Sequence, residues 1–185
     1  MKNLLEYNLE EKLVYVTPPH APVLVSTESP QGNFNLAPFE QFMACSNFPP
    51  RILIAITKES DTYKNILDGS DFCVGVPTIE MINQVFMCGK QIDRNQSEFD
   101  LSNLTADSSK MIKSPRIREC SINIECKLYN IVDVGDHSII IGDVLCAVID
   151  EEVFSEDKIV RRLNINAPYH VSSGFFFSKG KILKI

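Results

Sequence analysis

Between Asn33 and Asn65 the chain gathers several ligand-holding groups into little sequence. Asn35, Leu36, Ala37, Pro38 and Phe39 form a short extended run with a proline near its end. Ala44, Cys45 and Ser46 are small and partly polar, and Phe48-Pro49-Pro50 makes a rigid corner. Arg51 to Thr57 is an apolar strand, Lys58 is a cation at its end, and Ser60-Asp61-Thr62 reads as a helix start. Small residues let a flat ligand lie close to backbone N–H and C=O groups. A strand end, a lysine and a helix N-terminus together suit a phosphate. The combination points to a phosphorylated aromatic cofactor, with FMN the first candidate.

On that reading the backbone of residues 35–39 and 44–46 meets the edge of the ring. Lys58 and Thr62 hold the phosphate, one as a point charge and the other as a hydroxyl at a helix N-terminus. Ser46 is a candidate for the ribityl chain or the phosphate. Cys88, beside Gly89, is a candidate lining residue and is expected to be the more exposed thiol. Asp61 is assigned to helix capping, because a second anion would repel the phosphate. Asn65 is expected to tie down the loop. Cys45 has no thiol partner nearby in sequence, so it reads as a core cysteine. No catalytic side chain is assigned, since a flavin supplies its own chemistry. His137 reads as a turn residue, and His170, Arg116 and Arg118 as surface residues, the alternatives being a flavin contact across a dimer for His170 and a nicotinamide nucleotide's phosphates for the two arginines.

The totals set bounds. A chain of 185 residues is expected to form a single domain over 1–185 with a sizeable core. A net charge of −6 argues against nucleic acid as the main partner. No apolar run approaches the ~20 residues that span a bilayer, and the acidic start MKNLLEYNLEEKL is unlike a signal peptide. A cytoplasmic protein is expected. The 6 cysteines show no C-x-x-C pairing and read as free thiols in a reducing compartment. The 3 histidines are too scattered for a metal site, so none is expected. No G-x-G-x-x-G occurs to mark a Rossmann nucleotide site.

The elements that must position these groups are short. Strands are expected around Leu13–Val16, over Pro22–Thr27 and Phe34–Pro38, through Phe39–Ser46, and over Arg51–Thr57, the last buried on both faces. A helix is expected over Ser60–Leu67, capped by Ser60 or Asp61, with Ile66 and Leu67 inward and Gly69 at its end. Phe72–Val76 is another strand. A second helix is expected over Thr78–Met87, with Ile79, Ile82, Val85 and Phe86 at helical spacing. Residues 90–113 are irregular, with a helical turn at Ser97–Leu101. Ile122–Ile131 alternates, with Ile122, Ile124, Cys126 and Leu128 on one face, and returns through Val134-Gly135-Asp136 to Ser138–Ile149. Residues 151–162 read as solvated, 166–174 as a polar loop and Phe175–Phe177 as an apolar cluster. Many short strands with two short helices predict a mainly β fold, a barrel with helical additions.

Five motifs in one order then give a resemblance. N-L-A-P-F at 35–39, S-x-F-P-P at 46–50, K-x-x-D-T-x-x-N at 58–65, E-F-D at 98–100 and G-D-H-x-I-x-I-G-D-V at 135–144 resemble the flavin reductase-like, FMN-binding split-barrel family, nearest its flavoredoxin branch. The resemblance covers roughly Pro22 to Val153. It implies a split β-barrel and a homodimer with one FMN per subunit near the dimer interface. It also implies either reduction of flavin by NAD(P)H or, alternatively, an electron carrier whose flavin is reduced by a partner protein. The sequence departs from the family at Met43-Ala44-Cys45, where a polar Asn or Ser is common. It varies after Met87, so no role is carried over there.

Overall fold

The computed structural model describes residues 12–93, 96–172 and 174–178, with residues 8, 10 and 180. Four strands come first: β1 (Val23–Glu28), β2 (Phe34–Phe39), β3 (Phe42–Asn47) and β4 (Pro50–Thr57). Helix α1 (Asp61–Gly69) leads to β5 (Asp71–Val76), then α2 (Ile82–Cys88) and α3 (Glu98–Ser102). Two short strands, β6 (Ala106–Asp107) and β7 (Arg116–Ile117), precede the long hairpin of β8 (Ile122–Val134) and β9 (His137–Ile149). Helix α4 (Lys158–Asn164) and the small hairpin of β10 (Tyr169–Ser172) and β11 (Phe175–Phe177) follow.

Seven strands join in one antiparallel sheet in the order β2-β1-β5-β8-β9-β4-β3. The sheet curls without closing. β2 lies at one edge yet packs against β4 near the other, and α1 packs on β1, β2 and β4 to fill the gap. This is a mainly β split barrel.

Two cores form because both faces of the sheet are covered over part of its width. Inside the curl, Val23, Val25, Ile52, Ile54, Ile56, Phe72, Val74, Cys126 and Ile140 pack together, and α1 adds Ile66. Outside it, α2 and α3 bring Met81, Val85, Cys88 and Phe99 onto Leu24 and Leu36. Close approach is needed within the inner core. A Cβ on Gly142 would lie 2.6 Å from Phe72 Cζ, so only glycine lets β9 pass that ring. The β8–β9 hairpin turns on Gly135, whose φ of 84° suits a two-residue turn that needs a left-handed first residue.

Several sequence expectations give way. Leu13–Val16 is a 3-10 turn, closed by the Tyr15 N–H on the Lys12 carbonyl at 3.1 Å, and not a strand. β4 buries Ile52, Ile54 and Ile56 but leaves Leu53 and Ala55 half-buried, because the outer helices cover β1 and β2 instead. Helix α1 buries Thr62, Asn65 and Ile66, the i, i+3, i+4 stripe, which turns Leu67 outward. Ser60, and not Asp61, caps it, accepting from the Tyr63 N–H at 3.2 Å, and Ser70 rather than Gly69 takes the left-handed position at its end. In the second helical segment the buried stripe is Met81, Val85 and Cys88, so Phe86 is exposed. The stretch read as solvated contains α4, capped by Asp157, and the polar loop contains β10. Among the described residues no helix is long and apolar enough to cross a membrane.

Candidate functional site

The run Asn35–Phe39 is β2, an edge strand paired along its length with β1, with Asn35 opposite Thr27 and Phe39 opposite Val23. An edge is where a strand tolerates Pro38. Leu36 is fully buried in the outer core, and its amide donates to Glu98 Oε2 at 3.0 Å. Burial raises the Glu98 carboxyl above its ordinary value against that hydrogen bond. Ala37, Pro38 and Phe39 are half-buried.

Asn35 Nδ2 donates to Thr62 Oγ1 at 2.9 Å, which joins β2 to the first turn of α1. Thr62 is only 1% exposed. Its oxygen is engaged by Asn35, so its own hydroxyl hydrogen is what remains to be given to an acceptor. One turn on, Asn65 Nδ2 donates to Thr27 Oγ1 at 3.1 Å, as expected of a residue that ties segments together. Its Oδ1 is buried without a partner among the described residues. A small cavity of about 130 Å³ lies there, lined by Asn35, Asn65, Asp61, Asp93 and Glu98. Three carboxylates make it a poor place for a phosphate and a good one for a water that satisfies Asn65.

Lys58 follows β4 and is half-buried, with Nζ 3.3 Å from Asp133 Oδ2 near the tip of the β8–β9 hairpin. Ser138 and then Lys58 hold the Asp133 carboxyl below its usual range. The pair is exposed enough for a stronger anion to displace Asp133 at little cost.

Ala44, Cys45 and Ser46 lie on β3, the opposite edge. Ala44 stands opposite Ile52 and Ser46 opposite Arg51, so Cys45 is the extra residue of a β-bulge. A bulge re-aims side chains at an edge. Here Ala44 and Cys45 are exposed, with Ser46 half-buried between them and the corner at Phe48. Cys45 is therefore no core thiol, because the bulge takes it out of the pleat. Six residues separate Ile52 from Lys58 along the strand, roughly 20 Å at strand rise. The structure thus brings Asn35, Lys58 and Thr62 to one end of β4 and sets Ala44–Ser46 toward the other.

Cys88 sits apart from both ends. It is 3% exposed in the outer core, where burial pushes its thiol up to about 11. The expected exposure of this thiol fails because α2 turns it onto Leu24 and Leu36.

Three pairings escaped the sequence reading. Arg116 is not a surface residue: it forms an ion pair with the fully buried Glu125 on β8. Glu125 also accepts the Lys110 N–H at 3.0 Å and the Met111 N–H at 2.7 Å. Burial pushes the Glu125 carboxyl up, but these donors and Arg116 win and hold it below its ordinary value. Arg51 bonds Asp143 at 2.7 Å and lies 3.4 Å over the Tyr129 ring. His170, placed at the surface by the sequence reading, bonds Glu40 through Nδ1. Residues separated by as many as 130 positions leave no local signal.

A split barrel with these motifs meets its relatives here. The model of the flavin reductase like domain matches residues 17–168. This chain belongs to the flavin reductase-like FMN-binding split-barrel family. An uncharacterized protein of Aquifex aeolicus is 33% identical over 147 residues, covering 77% of this chain and 72% of that one. Among solved structures, nitrilotriacetate monooxygenase component B from Bacillus cereus is similar with a TM-score of 0.92 at 19% identity, covering 100% of both chains. Flavoredoxin of Desulfovibrio vulgaris (Miyazaki F) is similar with a TM-score of 0.84 at 19% identity, covering 98% of this chain and 97% of that one. The two structures share the fold with this chain.

Proposed function

We propose that this chain is an FMN-binding oxidoreductase that takes reducing equivalents from NADH or NADPH and passes them to an acceptor. The observation that carries the reading is the exposed, bulged strip at Ala44–Ser46, set along the same strand pair from Lys58 and the first turn of α1. The span of roughly 20 Å suits an elongated ligand with a flat end and a charged end. The residues present fit such a group. Lys58 and the first-turn amides of α1 would hold the phosphate, with the Thr62 hydroxyl donating. The small side chains of Ala44 and Cys45 would let the ring lie against the β3 backbone, and Ser46 would bond the ribityl chain. The roles of Leu36, Ala37, Pro38 and Phe39 would be through backbone groups, and Cys88 would contribute only by supporting β2 from behind. When bound, the flavin supplies the redox chemistry; the chain binds it, orients it and shields one side from water.

A homodimer belongs to this reading. Met43 on β3 and Phe48 just after it are exposed, Phe48 to 96%, and Tyr129, Val132 and Val134 are exposed on β8. Exposed apolar side chains of this kind suit the cover that a second copy would supply. A cytoplasmic setting suits the exposed free thiol of Cys45.

The test is anaerobic mixing of the FMN-loaded protein with NADH and with NADPH while the flavin absorbance near the visible is followed. Bleaching by either nucleotide is the expected result. Bleaching only after a reduced partner protein is added would replace the enzyme by an electron carrier. Failure to take up FMN at all would overturn the reading.

A further inference from the structure

The edge of β2 that faces away from β1 has no neighbouring strand, yet part of it is bonded. The Leu36 N–H leaves the ladder and donates to Glu98 Oε2 at 3.0 Å. On the same edge Ser97 Oγ donates to the Phe34 carbonyl at 3.1 Å. Backbone groups alternate in direction along a strand, so Phe34, Leu36 and Pro38 turn theirs outward while Asn35, Ala37 and Phe39 face β1. Two side chains at the start of α3 therefore stand where a strand would be, but only for Phe34 and Leu36. Pro38 is left over. It has no N–H, and its carbonyl has no hydrogen-bond partner among the described residues.

Glu98 is kept at this edge against its surroundings. Burial, and to a smaller degree the Asp61 carboxylate, push its carboxyl up, and the Leu36 N–H is the first of the groups that draw it back. Asp61 and Asp93 line the same small cavity, so an acid is a poor choice there unless the amide needs it. The base that delivers the carboxylate is fixed. Ser97 Oγ accepts from the Phe99 N–H at 3.3 Å and so caps α3, and Ser102 Oγ donates to the Glu98 carbonyl at 2.6 Å. Phe99 anchors the helix in the outer core beside Leu36.

We propose that Glu98 is a positioning residue for the flavin: its carboxylate holds Leu36 at the open edge of β2, which sets the Pro38 carbonyl, two residues on, to accept the imide N–H of the ring. The proposal rests on the flavin reading and adds to it which ring group meets this strand and what fixes the strand for it. A position that offers a carbonyl and no N–H selects a ligand that donates there. The other side of β2 is occupied by β1, so the open side alone can serve. Without Glu98 the Leu36 N–H loses its acceptor, and the edge is free to move off the line that a hydrogen bond needs.

Fluorescence titration of the flavin-free protein with riboflavin and with 3-methylriboflavin, which lacks the imide hydrogen, tests this. Neither ligand carries a phosphate, so Lys58 does not enter the comparison. The unaltered protein is expected to prefer riboflavin about threefold to tenfold, the size of one net hydrogen bond. Glu98→Ala should bring the two affinities together, and Glu98→Gln, whose amide oxygen still accepts from Leu36, should keep them apart. A role confined to stability would lower both affinities and leave their ratio as it was. Amide exchange on the same proteins places the effect: Leu36 should exchange faster in Glu98→Ala than in the parent or in Glu98→Gln. Equal affinities in the unaltered protein, a preference that survives Glu98→Ala, or a Glu98→Gln variant that behaves like Glu98→Ala overturns the proposal, and FMN binding by the same protein then keeps the flavin reading. A protein that takes neither riboflavin nor FMN overturns both.

Discussion

Two regions of the sheet handle their polar groups in opposite ways. On the outer face of β5 and β8, under the segment 105–120, every polar group that goes in has a partner within the chain. Glu125 meets Arg116 and two amides, and Asn123 meets both the N–H and the C=O of Ile117, at 2.8 and 2.9 Å. Asp71 holds the Ser114 N–H at 3.1 Å. Along β3 and at the far end of β4 the reverse holds. Lys58 has one exposed partner, Cys45 is bulged out of the ladder, and Phe48 stands in solvent. Within one sheet, a sealed polar seam marks where the chain completes itself. Polar and apolar groups left facing outward mark where it meets something else.

The largest effect should come from breaking the seam. Glu125→Ala leaves Arg116 and two amides without an acceptor in a buried place, and the expected loss is about 3–5 kcal/mol of unfolding free energy. Urea unfolding measures it. A loss below 1 kcal/mol would mean that water reaches the seam and that the contrast with the β3 edge is illusory.

Next comes the open end of β4. Lys58→Ala should weaken FMN binding about tenfold to a hundredfold, the worth of one charge-assisted hydrogen bond, while leaving the unfolding free energy nearly unchanged. Titration of the flavin-free protein by fluorescence quenching reads this, and the effect should shrink in high salt. Unaltered affinity in the variant would move the phosphate elsewhere.

A smaller effect separates the regions by pH. The Glu125 carboxyl lies below its ordinary 4.5 in the folded chain, so its contribution is full above that value. It is lost as pH falls through the lower folded value. Thermal melts between pH 6 and 3 should therefore fall more steeply in the parent than in Glu125→Gln. Parallel curves would remove Glu125 from the acid sensitivity.

The smallest effect is expected at Cys45. Cys45→Ala removes an exposed thiol outside the ladder, so unfolding free energy should stay within about 0.5 kcal/mol, and FMN affinity should change little. A large loss of affinity would give the thiol a direct part in holding the flavin.

What could be read in advance follows from how local the signal is. The β8–β9 hairpin announces itself through alternation and the Gly135-Asp136 turn, and α1 through Ser60. β4 was visible as a run of isoleucines. The seam was invisible, because Asn123 and Glu125 look like the solvent face of a strand until segment 105–120 is laid over them. That segment has no period of its own to show where it goes. Cys45 misled for a similar reason: a cysteine with no thiol partner nearby reads as a core residue, and a one-residue bulge cannot be seen in composition. At the candidate site the types were legible and the distances were not. Asn35 and Thr62 proved to be bonded, whereas Ser46 and Lys58, closer in sequence, sit toward opposite ends of one strand.

The bulge at Cys45 also bears on how the protein behaves when crowded. β3 is an open sheet edge with exposed Met43 and Ala44, and a flat edge of that kind would recruit further strands from other molecules. One extra residue breaks the even spacing of N–H and C=O groups that an added strand needs. Straightening the edge by deleting Cys45 should thus be felt first as slow aggregation in concentrated solution, with the fold itself still intact.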